Sequence, residues 1–175
     1  MIHPIKHLSV ILKHRHTVLL HCFKAGIFWR GLLHDLSKFS PTEFIPGIKY
    51  YQGTRSPNEK ERDLFGYSKA WMHHKGRNRH HFEYWTDVNP ETKMYEPVKM
   101  PTVFFKEMFC DRVAASKIYQ GEKYTDSHPI DYFRYGRAGD KMHKETAEKL
   151  EQLLIMLKDK GEAETFRYIR KMKDY

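Results

Sequence analysis

The sequence predicts an all-α domain, and three observations carry that expectation. Apolar residues recur at helical spacing along most of the chain, as in Ile11, Val18, Cys22 and Ala25, or Leu150, Leu153, Leu154 and Leu157. Serine, proline and a following glutamate occur at Ser40-Pro41-Thr42-Glu43 and again at Ser56-Pro57-Asn58-Glu59. That is the form of a capping box with proline at the first helical position. Alternating β-branched runs are few. A length of 175 residues, with no internal repeat and no low-complexity linker, predicts a single unit spanning 1–175. It is long enough to bury roughly 70% of the surface an unfolded chain exposes.

The elements follow in order, roughly six to eight helices in all. Ile5, Leu8, Ile11, Val18, Leu19, Cys22 and Ala25 define a first helix from about Pro4 to Phe28. A short apolar segment, Ile27 to Leu36, leads into the box at Ser40. The box at Ser56 opens a helix to about Arg79, weakened at Gly66 and Gly76. Pro101 opens another from Thr102 to about Tyr119, closing a core of about 5–120. Residues 120–140 read as an irregular loop containing His128-Pro129 and several tyrosines. C-terminal helices fill 140–175: one from Asp140 to Lys160, with Met142 and the leucines on one side, ended by Gly161 before a short final helix.

Composition removes several classes. Forty per cent hydrophobic and 14% aromatic residues exclude a disordered chain. No apolar span long enough for a transmembrane helix exists, so no membrane partner is expected. Lys13, His14, Arg15 and His16 interrupt the N-terminal apolar stretch, so no signal peptide is expected. Cys22 and Cys110 read as small buried hydrophobes, which fits a reduced, cytoplasmic compartment. The net charge is +9, and its placement is informative. Residues 1–34 hold Lys6, Lys13, Arg15, Lys24 and Arg30 with no carboxylate, and residues 64–82 hold Lys69, Lys75, Arg77 and Arg79, again with none. The same stretches carry ten of the twelve histidines.

Those histidines supply the candidate chemistry. His34-Asp35 lies among Leu32, Leu33 and Leu36, where a carboxylate must be paired or bound to a metal. Adjacent helical residues point about 100° apart, so both can ligate one centre only at an irregular turn. Asp111 interrupts a stripe of Phe104, Met108, Ala115 and Ile118, which points to ligation or to an ion pair. Glu107, one turn earlier, either orients a neighbouring ligand or is a plain surface residue. His14 and His21 share an apolar face, and a histidine there is commonly a hydrogen-bonded core residue. In Ala70 to Trp85, His74, Asn78 and His81 fall on one helical face and His73, Arg77 and His80 on the next. Only one face of a continuous helix can point inward; a break near Gly76 or Asn78 relaxes that limit. Imidazole with aspartate suits borderline transition metals. The competing reading is a basic, aromatic-flanked surface that binds nucleic acid.

The order His14, His34-Asp35, later histidines and Asp111 resembles the H…HD…(H…H)…D pattern of the HD-domain superfamily, all-helical and made largely of metal-dependent phosphohydrolases. His34-Asp35-Leu36-Ser37-Lys38 is similar to its HD-x-G-K segment, with serine in place of glycine. Phe109 to Ser116 is similar to the helix bearing its final aspartate. The segments His34 to Phe44 and His73 to Trp85 resemble signature segments of an uncharacterised bacterial and phage family of this kind, a likeness running from about residue 7 to 135. The resemblance implies that His14, His34, Asp35 and Asp111 hold one metal, with His21 as a rival for His14. It implies that Asp35 bridges to a second, held by His74 and by His80 or His81, and that Lys38 faces a substrate phosphate.

The implied cofactor is one or two divalent transition-metal ions, with manganese, iron, nickel, cobalt and zinc undistinguished. The implied activity is hydrolysis of a nucleotide or another small phosphate ester through a metal-activated water, with Asp35, Lys38 and His80 catalytic and Lys38, Arg77 and Asn78 on the substrate. Two alternatives remain: a di-iron oxygenase of HD type, and a non-enzymatic module binding nucleic acid or metal. A positive field focused on a histidine-lined site favours a small anionic substrate over a long polyanion.

Overall fold

The computed structural model describes residues 3–175. Among them are eight α-helices: α1 (Pro4–Lys24), α2 (Phe28–Leu33), α3 (Pro41–Lys49), α4 (Pro57–Phe65), α5 (Lys69–Arg77), α6 (Thr102–Gln120), α7 (His128–Tyr135) and α8 (Lys144–Lys171). The fold bears out the predicted all-α class and helix number, the domain being mostly α with one small addition. An antiparallel hairpin, β1 (Thr86–Val88) with β2 (Tyr95–Pro97), is the one sheet among the described residues. Its three-residue strands are too short to show an alternating pattern. None of the described helices is long and apolar enough to cross a membrane.

The core lies where α1, α6 and α8 meet. Val18 and Cys22 of α1, Phe105, Phe109 and Val113 of α6, and Leu150, Leu154, Leu157 and Ile169 of α8 are completely buried. The two cysteines are free and buried, as their apolar reading requires. Gly161 has φ +77° and breaks the helical path of α8, so a second helical stretch returns Phe166 and Ile169 to the core. The predicted interruption at this glycine is therefore present.

Three local expectations need correction. The helix predicted from Ser56 to Arg79 is two helices. Gly66 takes a left-handed conformation that ends α4, and the Ser68 hydroxyl accepts from the Trp71 amide at 3.0 Å to open α5. Glu61, buried, locks the corner by accepting from the Ser68 hydroxyl at 2.5 Å and the Ala70 amide at 3.3 Å. Residues 120–140 are not an irregular loop: they hold α7 and two 3₁₀ turns, Gly121–Lys123 and Ala138–Lys141. Pro129 in the first turn of α7, with Ile130 and Phe133 buried beneath, explains that helix. The box at Ser56 does cap, its hydroxyl accepting from the Asn58 amide, but Ser40 makes no side-chain cap to α3. Glu43 has been drawn elsewhere, as described below.

The contact between α1 and α2 positions the site, and it is tight. A Cβ at Gly31 would lie 2.7 Å from the Cys22 Cβ and 3.0 Å from the Leu19 Cα. Arg15 of α1 then donates to the carbonyls of His34 and Leu32, satisfying the end of α2. Gly31→Ala should cost about 1–3 kcal/mol through this overlap, despite alanine's better helix propensity. Thermal melts check it; a melting temperature equal to or above that of the parent would refute the close-contact account.

Candidate metal centre

The centre is assembled at the ends of helices, where the chain changes direction. α2 stops at Leu33; His34 is extended (φ −54°, ψ 131°) and Asp35 is left-handed (φ +54°) before a 3₁₀ turn at Leu36–Phe39. This is the irregular turn that adjacent ligands require, and it sends both side chains to one interior point. Aspartate tolerates the left-handed region better than most residues. At the other wall α5 ends at Arg77, and Asn78 is extended (φ −116°, ψ 98°). The break frees His80 and His81 from the helical phase, so they turn inward together with His74. Asp111 comes from the middle of α6, and His14 from the middle of α1.

Three groups of ligand atoms result, one of them His34, His80 and Glu107, and the other two share Asp35. In one, His14, His34, Asp35 and Asp111 converge; in the other, Asp35, His74, His80 and His81; within each, one donor atom per residue lies within 4.8 Å of every other. Asp35 turns one oxygen to each. Its Oδ2 lies 3.4 Å from His34 Nε2 and 3.9 Å from His14 Nε2, while Oδ1 lies 3.3 Å from His74 Nε2 and 3.4 Å from His80 Nε2. Asp111 Oδ1 is 3.0 Å from His14 Nε2 and 3.5 Å from His34 Nε2. Donors about 2.1 Å from one cation are separated from each other by about 3 Å or slightly more.

The donor set also passes a chemical test. His34 Nε2, Asp35 Oδ1, His80 Nε2 and His81 Nε2 are buried and find no hydrogen-bond partner. Buried polar atoms are nearly always satisfied, so four orphans pointing at one place mark a missing partner. These buried clusters could hold a metal ion.

Two buried glutamates behind the clusters set the orientation of the imidazoles. Glu107 has no solvent exposure and receives Arg30 Nε at 2.8 Å, His34 Nδ1 at 3.0 Å and His80 Nδ1 at 3.3 Å. Glu43 receives His73 Nδ1 at 2.6 Å and His74 Nδ1 at 2.7 Å. Each Nδ1 is therefore the donor, and Nε2 of His34, His74 and His80 is left facing inward. Glu107 is thus the orienting residue of the two readings the sequence allowed. Glu43 was missed, because Ser-Pro-Thr-Glu reads as a cap and nothing local announces histidines some thirty residues away.

Electrostatics follow from these contacts. Burial opposes charge on His34, yet Asp35 and hydrogen bonds to Asp111 and Glu107 raise its pKa to about 10, so a cation bound at Nε2 would take the place of a proton there. Burial likewise works against the Asp35 carboxylate, but His34, Lys38, His74 and His80 hold it well below its usual range. Asp111 is also held low, against burial, by His14 and His34. Glu107 is pushed down to about 2, the His34 and His80 hydrogen bonds outweighing burial. His81 is kept neutral by burial and by the neighbouring His80 and His74. The carboxylates stay ionised and call for positive charge at the point where the orphaned atoms meet.

The clusters form the floor of a cavity of about 890 Å³, within the size range of small-molecule sites. Lys38 lines it and places Nζ 3.3 Å from Asp35 Oδ2. Of the apolar stripe that Asp111 interrupts, Met108 is buried in the core, and it lines this cavity together with Asp111, Ala115 and Ile118. Three expected site residues are elsewhere. Arg77 is exposed and only reaches the His73 carbonyl, at 3.5 Å, and it does not line the cavity. Asn78 is buried and structural: its Nδ2 donates to Ser37 Oγ at 2.7 Å and to the His74 carbonyl at 2.8 Å. His21 is brought to neither cluster; it is buried against Phe166, its Nδ1 3.2 Å from the Cys110 carbonyl. Of the two rivals, His14 is the one at the site. His80 and His81 both reach it, where the sequence left a choice.

A mostly-α domain with a buried histidine–carboxylate centre at a cavity is thus the class that fold and site define. The chain belongs to the Family of unknown function (DUF5662), whose profile matches residues 3–156. No curated protein and no solved structure matches the chain.

The structural role of His21 is testable through pH. Burial lowers its pKa from 6.5 to about 4, against the pull of the Cys110 carbonyl. In that window the unfolded chain binds a proton that the fold excludes. Stability is therefore full above pH 6.5 and falls as pH drops toward 4. At about 1.36 kcal/mol per unit the effect is about 3 kcal/mol. His21→Gln should flatten this part of the pH dependence in urea unfolding; an unchanged slope would mean that His21 titrates normally.

Proposed function

We propose that the protein is a metal-dependent phosphohydrolase acting on a nucleotide or another small phosphate ester. The observation that carries this reading is the pair of ligand clusters sharing Asp35, with four unpartnered atoms directed between them. The likeness of His14, His34-Asp35, the later histidines and Asp111 to the HD pattern supports it. His14, His34, Asp35 and Asp111 would hold one divalent cation, and Asp35, His74, His80 and His81 a second. Such cations supply Lewis acidity and lower the pKa of a coordinated water towards 7.

The chain's own residues do the rest. Glu107 and Glu43 hold protons at Nδ1 of His34, His80 and His74 and keep the opposite nitrogens free as ligands. His80 is engaged at both nitrogens, by Glu107 and by the cluster, which suits a ligand better than a proton carrier. Lys38 keeps its charge: burial opposes it, but Asp35 raises the pKa. Placed at the cavity wall, its ammonium is positioned to donate to a phosphoryl oxygen and to stabilise charge that develops there. A cavity of about 890 Å³ is of the size that admits a small ester.

The test is elemental analysis of the purified protein together with a screen of nucleotides and small phosphate esters under several metals. Asp35→Ala, which removes the shared ligand, should lose most bound metal and all phosphate release. Full metal content with full activity on every ester in this variant would sink the proposal. Oxygen consumption by the iron-loaded protein, without phosphate release, would assign the centre to oxidation instead. Glu107→Ala should weaken metal binding by about 10–100-fold while leaving every direct ligand in place. Equal affinity, measured by competition with a chromophoric chelator, would remove the orienting role.

A further inference from the structure

The cavity has a second polar feature that the metal centre does not use. Arg112 follows Asp111 on α6 and lines the same space. Its guanidinium lies 5.9 Å from the ring centroids of both Phe82 and Phe133. Its Nε is buried without an acceptor, and it forms no ion pair with any described residue. Burial without a partner sets it apart from the other arginines near the site: Arg30 is held by Glu107, Arg15 by the carbonyls of His34 and Leu32 and Arg55 by Asp63, while Arg62, over the Trp71 ring, is exposed. Glu83, one residue after Phe82, lines the cavity too, and its Oε2 is likewise buried and unpartnered.

An unsatisfied guanidinium and an unsatisfied carboxyl oxygen on one cavity wall are complementary to a ligand with both an oxyanion and a hydroxyl. The planar fork of arginine matches a phosphate with two parallel N–H donors. A carboxylate oxygen accepts from an alcohol. We propose that Arg112 and Glu83 form a substrate subsite for a phosphate ester of a hydroxyl-bearing alcohol, such as a polyol or sugar. Arg112 donates to a phosphate oxygen and Glu83 accepts from a free hydroxyl of the esterified alcohol. The inference rests on the phosphohydrolase reading for its choice of phosphate, and it adds the class of alcohol and the residues that select it.

Binding of probes that cannot be hydrolysed separates the two. Isothermal titration of the purified full-length protein would use 2,3-dihydroxypropylphosphonate, n-propylphosphonate and glycerate. The first two differ only in hydroxyls; the third keeps both hydroxyls, carries carboxylate in place of phosphonate and is one methylene shorter. The dihydroxy phosphonate should bind at least fivefold tighter than the propyl one and at least tenfold tighter than glycerate. Arg112→Met should weaken both phosphonates at least tenfold with metal content unchanged, and Arg112→Lys should fall between. Glu83→Leu should abolish the preference for hydroxyls and leave propylphosphonate binding intact. If Arg112→Met does not fold, Arg112→Lys and Glu83→Leu carry the test. Parental affinity in the Arg112 variants, equal binding of the two phosphonates by the parent, glycerate binding as tightly, or no phosphonate binding would each overturn the subsite. Phosphonate binding without hydrolysis of any ester would leave the subsite standing and remove the hydrolase. Hydrolysis with unaltered binding in the Arg112 variants would do the reverse.

Discussion

A single carboxylate sealed from solvent organises the interior. Glu107 is completely buried, and a charge in that position is tolerated only when donors answer it from every side. The donors come from three places: Arg30 on α2, His34 at the exit of α2, and His80 in the turn beyond α5. No backbone ladder joins these segments, so the carboxylate is what registers them against α6. The same bonds decide which imidazole nitrogen faces inward. Structural registration and ligand orientation are one interaction here, and any change at Glu107 acts on both.

The basic excess of the first 34 residues looks different once its partners are known. Arg30 serves Glu107, Arg15 closes the end of α2, and Lys24 reaches Glu162 at 3.3 Å. Much of that charge is therefore spent on internal contacts rather than offered to a polyanion. In the second basic stretch the histidines, not the arginines, face the interior: Arg77 and Arg79 are exposed while His74 and His80 are buried. The cationic groups that do line the cavity include Lys38, Arg62 and Arg112, of which only Lys38 was singled out from its motif.

How much was legible depends on the range of the interaction. Helical periodicity is local, so α1, α6 and the break at Gly161 were readable from spacing alone. The His34-Asp35 turn was readable in principle, because two adjacent ligands cannot share a helical phase. The corner at Gly66 failed because a lone glycine in a helical pattern is usually tolerated; what stops the helix is the Ser68 cap together with Glu61. Glu43 failed for the opposite reason, since a strong local motif hid a tertiary role. Arg77 and Asn78 were placed on the substrate through the resemblance; the chain leaves the helix at Asn78, which leaves Arg77 exposed and ties Asn78 to Ser37 and the His74 carbonyl. Glu83 and Arg112 carry no pattern at all; a cavity and a lack of partners reveal them, and neither is visible before folding.

The features that break ordinary folding rules are concentrated in one place. Asp35 occupies left-handed backbone, which costs of order 1 kcal/mol for a residue with a side chain. Around it, His34 Nε2, Asp35 Oδ1, His80 Nε2 and His81 Nε2 are buried without partners, while the core of α1, α6 and α8 packs leucine and phenylalanine. A sequence selected for stability alone would replace the inward-facing histidines with apolar residues of similar volume, since satisfied apolar packing is commonly neutral or better than buried ionic groups. Retaining them, with His34, His74 and His80 braced by the buried Glu107 and Glu43, makes sense when the partner arrives from outside the chain. The architecture is therefore one of supports: α1, α6 and α8 supply the rigid core, and their stability underwrites a strained, incompletely paired turn at its edge.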